Sequence, residues 1–95
     1  MAGSFKKDPS AILDYGFDWT AWLGADTIAV SDWTIAGPDT SLTLTPDRPV
    51  QADAHSTLCW LHGGTAGVTY DLTNRVTTVG GRVDDRTVKI VVVQK

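Results

Sequence analysis

The last third of the chain, residues 67–95, restricts the fold more than any other segment. It reads Gly-Val-Thr-Tyr-Asp-Leu-Thr-Asn-Arg-Val-Thr-Thr, then Val-Gly-Gly-Arg, then Val-Asp-Asp-Arg-Thr-Val-Lys-Ile-Val-Val-Val-Gln-Lys. Before the glycines, Val68, Tyr70, Leu72 and Val76 stand on one face against Thr69, Asp71, Thr73, Arg75 and Thr77. A period of two is that of a half-buried β-strand. Beyond the glycines, residues 86–94 place Val88, Ile90 and Val92 at the same spacing. The chain therefore ends in two long strands about a Gly-Gly turn, and a hairpin alone is too marginal to stand without further strands.

The acidic residues point the same way. All eleven are Asp and none is Glu, while Thr and Val are abundant. Glu suits helix interiors, Asp suits turns, and Thr and Val fit pleated sheets. At 95 residues with 42% hydrophobic content the chain reads as one folded domain. Its formal net charge of −3 and the lack of a basic run longer than Lys6-Lys7 argue against nucleic acid as a partner.

Cys59 is the sole cysteine, so an intramolecular disulfide is ruled out and a cysteine-built metal centre with it. Within Thr-Leu-Cys-Trp-Leu it reads as a small buried hydrophobe. The lysines near the N-terminus precede no apolar segment of the signal-peptide kind. No apolar run approaches the roughly 20 residues that span a bilayer, so no membrane partner is expected. Synthesis in a cytoplasm, with release by lysis where the chain leaves the cell, is the expectation.

Upstream, residues 1–10 are read as a flexible N-terminal arm and 11–95 as the single β domain. Leu13, Tyr15, Phe17 and Trp19 alternate with Asp14, Gly16, Asp18 and Thr20, which predicts a first strand. A second strand is predicted over 27–35, with Ile28 and Val30 on one face and Trp33 and Ile35 on the other. The change of parity between Val30 and Trp33 predicts a bulge or a twist there. Short strands are predicted at 41–45 and 50–52, confined to edges by Pro46 and Pro49, and a firmer one at 56–61. About seven strands spaced by turn signals suit a two-sheet sandwich of the immunoglobulin or fibronectin type III kind.

Tyr70 sharpens that expectation. It follows Gly63-Gly64-Thr65-Ala66-Gly67 at the entrance of a long strand. In immunoglobulin-like sandwiches a tyrosine there bonds back to the connecting loop and pins the corner. Leu72 then takes the place of a disulfide cysteine in antibody domains, with Trp19 on the first strand's inner face and Trp33 or Trp60 filling the core between sheets. An ordinary core tyrosine is the alternative. Under the corner reading Tyr70→Phe costs about 1–1.5 kcal/mol.

No constellation encodes a reaction. His55 and His62 belong to no metalloprotease motif, no serine or cysteine sits in a nucleophile elbow, and neither Gly-Gly pair precedes a phosphate-binding helix. Asp14 and Asp18 lie roughly 13 Å apart along a strand, too far for a retaining or inverting pair. No catalytic residue, cofactor or metal site is expected. The informative residues are interface candidates. Trp22 stands outside the first strand's alternation and suits an exposed anchor. Residues 90–93, Ile-Val-Val-Val, are apolar on both faces, so Val91 and Val93 point outward and invite a neighbour. Phe5, Lys6 and Lys7 on the arm would add a mobile contact whose deletion leaves the melting temperature unchanged. Arg82, Asp84, Asp85 and Arg86 would orient partners at the hairpin tip.

Three segments carry a narrower resemblance. They are Lys-Asp-Pro-Ser-Ala-Ile-Leu-Asp-Tyr-Gly-Phe-Asp-Trp at 7–19, Asp-Thr-Ile at 26–28 with Trp33-Thr34, and Tyr-Asp-Leu-Thr-Asn-Arg-Val-Thr-Thr at 70–78 with Gly-Arg-Val-Asp-Asp-Arg-Thr at 81–87. Together these resemble a family of short tailed-phage proteins, the fibre–tail adaptors; residues 36–54 match poorly. The resemblance implies a non-enzymatic virion protein, made in the bacterial host, present in several copies and bound to other tail, baseplate or fibre proteins. The residues themselves also admit a capsid decoration protein or a carbohydrate- or receptor-binding module.

Overall fold

The computed structural model describes residues 3–45 and 50–94. Among these the chain forms eight strands and one short helix: β1 (Gly3–Lys7), β2 (Leu13–Asp18), α1 (Thr20–Leu23), β3 (Ile28–Ala36), β4 (Leu42–Leu44), β5 (Gln51–Ala52), β6 (Ser56–Gly63), β7 (Thr69–Thr78) and β8 (Val83–Val92). Sheet A runs β1-β8-β7-β3; sheet B runs β2-β6-β4, with β5 also paired to β6. Neighbours are antiparallel except β1, which lies parallel to β8. The seven expected strands are all present, and β1 is the eighth.

The alternation that defined the strands also builds the core. Tyr15, Cys59, Leu61 and Leu42 from sheet B meet Tyr70, Leu72, Val88, Ile90 and Val92 from sheet A, with Phe17, Trp33 and Ile35 packed around them. A second cluster, Trp19, Leu23 and Val76, closes one end against Phe17, Trp22 and Ile28. Burial holds Cys59 as an inert thiol, its pKa pushed up to about 12.

Asn74 joins the sheets from within. It shares the inward face of β7 with Leu72 and Val76, and it is fully buried. Its amide nitrogen donates to Ser31 Oγ at 2.9 Å and to the Asp32 carbonyl at 3.0 Å. Its oxygen accepts from Trp19 Nε1 at 3.0 Å and from the Thr57 hydroxyl at 2.6 Å. All four hydrogen-bonding positions of the amide are filled, by residues of both sheets.

The tyrosine corner is present. The Tyr70 hydroxyl accepts from the Thr65 N–H at 3.0 Å and donates to Asp39 Oδ1 at 2.7 Å. Asp39 also accepts from the Ser41 N–H at 3.1 Å and from the Ser41 and Thr65 hydroxyls at 2.8 and 2.9 Å. These bonds hold its carboxyl well below the usual carboxylate range, Tyr70 foremost. Gly37 lies against the same ring, where an added Cβ would come within 2.5 Å of Tyr70 Cδ2. Because the acceptor is a carboxylate, the expected cost of Tyr70→Phe rises to about 1.5–3 kcal/mol. Chemical denaturation checks it, and a change within about 0.3 kcal/mol would remove the corner from the account.

Four expectations need correction. The flexible arm over 1–10 is, from Gly3 to Lys7, a strand in register with Val88–Val92 of β8; Met1 and Ala2 lie outside the described residues. Strand β1 covers that edge of β8 from within the chain, with Phe5, Lys6 and Lys7 beside Ile90, Val91 and Val92. The last strand starts at Val83, not Arg86, since Val83, Asp84 and Asp85 continue the ladder opposite Thr77, Val76 and Arg75. The bulge falls between Ile28 and Val30, slightly earlier than expected, and turns Val30 outward to 49% exposure while Ser31, Trp33 and Ile35 face inward. Trp60 is not in the inter-sheet core: Thr57, Cys59 and Leu61 take the inward positions of β6, so the pleat sends Trp60 to the opposite, half-buried face. Pro46 and Pro49 lie outside the described residues, but β4 and β5 do sit in tandem along one edge of β6.

Candidate interface surfaces

The interface candidates gather into two patches at opposite ends of β8. Arg82 and Val93, at the two ends, stand eleven residues apart, about 36 Å, while Arg86 and Val91 are five residues apart, about 16 Å along the strand.

The first patch forms around α1. Asp18 ends β2 by accepting the Thr20 N–H at 2.9 Å, and the chain winds one turn that buries Leu23. Trp19 and Trp22 meet edge to face at 5.3 Å between ring centroids. The β7–β8 turn brings two arginines onto these rings. Arg82 lies 4.5 Å from the Trp22 centroid, and Arg86 lies 4.1 Å from that of Trp19, each a cation–π contact. Arg82 also donates to the Trp22 and Leu23 carbonyls at 3.2 and 2.8 Å, the ones the end of a helix leaves open. Arg86 donates to the Asp18 carbonyl at 2.8 Å.

Asp26 fastens this end. It accepts from the Thr27 and Gly80 N–H groups at 2.9 and 3.0 Å and pairs with Arg82 at 3.3 Å. The Thr78 hydroxyl leads these bonds in lowering its pKa to about 2. Arg82 and Arg86 are therefore anchored inside the chain. Asp85 is paired too, in a two-point contact with Arg75 across the hairpin at 2.7 and 3.1 Å. Asp84 is exposed and holds the Asp85 N–H at 2.9 Å. Trp22 is half-buried, with its ring set between Trp19 and Arg82.

The second patch lies where β1 meets the end of β8. Lys6 stands beside Val91, and the Val93 N–H bonds the Lys7 carbonyl at 2.8 Å. Val91 and Val93 are half-buried on the outer face of sheet A, with Lys6 exposed next to them. Phe5 points to the opposite side, its ring 5.6 Å from that of Tyr15 and edge-on, yet it remains 48% exposed.

Lys7 does not serve as a mobile contact. It is fully buried, and its ammonium donates to the Gly63 carbonyl at 2.8 Å and the Asp8 carbonyl at 2.9 Å. Desolvation lowers its pKa, partly offset by the charge of Asp8.

Two residues that hold the fold together escaped the sequence reading. Asn74 was legible in principle, since it is the polar member of an otherwise apolar alternation. Asp39 gave no signal, because its role depends on a tyrosine 31 positions away.

A family model described as podophage GP4 fiber-tail adaptor protein gp77 matches residues 7–91. The match begins at the last residue of β1 and ends at Val91, so it takes in the whole of the first patch but, of the second, Val91 and not Phe5, Lys6 or Val93. No curated protein matches the chain.

Proposed function

The chain belongs to the podophage GP4 fibre–tail adaptor family, and from that premise we propose that it joins fibre to tail in the virion as a non-enzymatic, multi-copy connector. The family match over residues 7–91 carries this reading. The separation of the two patches supports it, because a connector needs one surface for each partner. Trp22 with Asp84 would face one virion protein, and Val91 with Val93 the other. Buried apolar contact would hold each joint while the rim charges select the partner.

We also read the fold as immunoglobulin-like. The order β2-β6-β4 follows strands B-E-D of that sandwich, and β3-β7-β8 follows C-F-G. Tyr70 at the start of β7, Leu72 two residues on and Trp33 on β3 stand where that fold places its corner tyrosine, second cysteine and central tryptophan. A rigid frame of this kind keeps its two ends at a fixed spacing.

The test uses tails assembled without the chain, purified fibres, and the chain returned as wild type or variant. Wild type should bridge the two. Val91→Lys with Val93→Lys should keep the fold and bind one partner only, and Trp22→Ser should bind only the other. Loss of both partners by each variant, or of neither, would refute the two-ended arrangement.

A further inference from the structure

We infer that copies of this chain join edge to edge through sheet A, the β1 edge of one copy against the β3 edge of the next. The contact rests on the multi-copy part of the proposed function and supplies its geometry. Among the described residues sheet A ends in two open edges, β1 and β3. Strand β1 is parallel to β8, and β8 and β3 are each antiparallel to β7. The two edge strands therefore point the same way. A second copy in the same orientation extends the sheet with a parallel pair and keeps each face continuous. That contact is head-to-tail, and it closes into a ring or runs on as a filament.

Past the bulge between Ile28 and Val30, the β3 edge has few of the devices that usually keep an edge from pairing. It is nine residues long, contains no proline, and carries one charge, Asp32. That charge has its complement on the other edge. Asp32 stands on the outer face of sheet A opposite Arg75, which is already held by Asp85. Lys6 stands on the same outer face opposite Val91 and pairs with no carboxylate among the described residues.

The inner sides match in shape. A slot of about 500 Å³ opens under β3 between the two sheets, lined by Trp33, Ile35, Leu42 and Leu44, with Asp39 as its one charged group among the described residues. Trp33 Nε1, itself buried, has no hydrogen-bond partner among the described residues. On the opposite edge Phe5 projects from the inner side of β1, about half exposed. With Phe5 set beside Trp33 of the next copy, Lys6 falls beside Thr34. Asp32 is then a diagonal neighbour on the same face, within reach of a lysine. The β1 edge thus supplies the knob and the cation, and the β3 edge the slot and the anion.

Sedimentation velocity and native mass spectrometry across a concentration series read the contact directly. Wild type should associate reversibly beyond dimers. Lys6→Asp and Asp32→Lys should each weaken association by about tenfold or more, because each sets like charges side by side, while thermal melts stay at the wild-type value. Phe5→Ser should weaken it as well. An equal mixture of Lys6→Asp and Asp32→Lys should recover wild-type association with the two chains alternating, since every joint then pairs opposite charges. A monomer at every soluble concentration, association indifferent to Lys6→Asp, or a mixture that fails to recover would each overturn the inference. An isologous β3–β3 dimer gives the second of these results. Assemblies that form while the chain fails to bridge tails and fibres would sink the adaptor reading and leave this contact standing; the reverse would sink the contact alone.

Discussion

Replacing Asn74 by alanine is expected to remove about 3–5 kcal/mol of stability, the range for breaking a fully buried polar network. The amide satisfies Trp19 Nε1, the Thr57 hydroxyl, the Ser31 hydroxyl and the Asp32 carbonyl at once. Alanine leaves at least two of these without a partner where water does not reach, at roughly 1–3 kcal/mol each, and adds a cavity. A domain of this size has only about 5–10 kcal/mol in total, so the variant should lie near its unfolding threshold. Asn74→Asp separates shape from hydrogen bonding. It keeps the volume and an acceptor for Trp19 and Thr57, but it removes both donors and brings a charge up to the Asp32 carbonyl. Urea titration should place it close to the alanine variant. A loss below about 1 kcal/mol in both would mean that the sheets are held by apolar packing alone.

Deleting residues 2–7 should lower stability by about 2–4 kcal/mol, whereas a loose arm would leave it unchanged. The deletion removes β1 and uncovers the edge of β8. It strips Phe5 from Tyr15 and frees the Gly63 carbonyl that Lys7 holds. Lys7 itself adds less than its burial suggests, because taking its ammonium out of water offsets much of what its two carbonyl partners return. Lys7→Met should therefore cost far less than the deletion. If instead the deletion melts with wild type, the strand is peripheral and the edge contact proposed for β1 loses its base.

These two cases show what the residues made legible and what they hid. Strand β7 was clear from Val68 to Thr78 because its period of two is long and interrupted only at Asn74, and Tyr70 followed from its place at the corner. The bulge in β3 was also legible, since Ile28 and Trp33 cannot share a face without an extra residue. Strand β1 was hidden because Gly3-Ser4-Phe5-Lys6-Lys7 has almost no apolar alternation. It exists only through pairing with residues more than eighty positions away. Lys7 reads as solvated wherever it occurs, and only the carbonyls of Asp8 and Gly63 make an inward position tolerable. Trp60, the alternative to Trp33 for the inter-sheet core, lies on the other face, because Cys59 and Leu61 take the inward positions of β6 and a large ring does not overrule the pleat.

The charges of the hairpin tip teach a related lesson. All four charges look free for a partner in a linear reading, yet Arg82 and Asp85 form ion pairs, Arg86 lies over the Trp19 ring and donates to the Asp18 carbonyl, and Asp84 holds the Asp85 N–H. The fold uses Arg82 and Arg86 to brace α1 and its two tryptophans. What they offer a partner is a stiff aromatic corner, with the charge already engaged. Stiffness at both ends of β8 suits a connector, which transmits position between two bodies.

The most direct measurement is fibre attachment to tails made without this chain, read by electron microscopy before and after the purified protein is returned. Bare tails are expected at first, then fibres seated at their usual place with the chain between tail and fibre. Tails that carry fibres without it, or added chain that binds heads and leaves tails bare, would contradict the account.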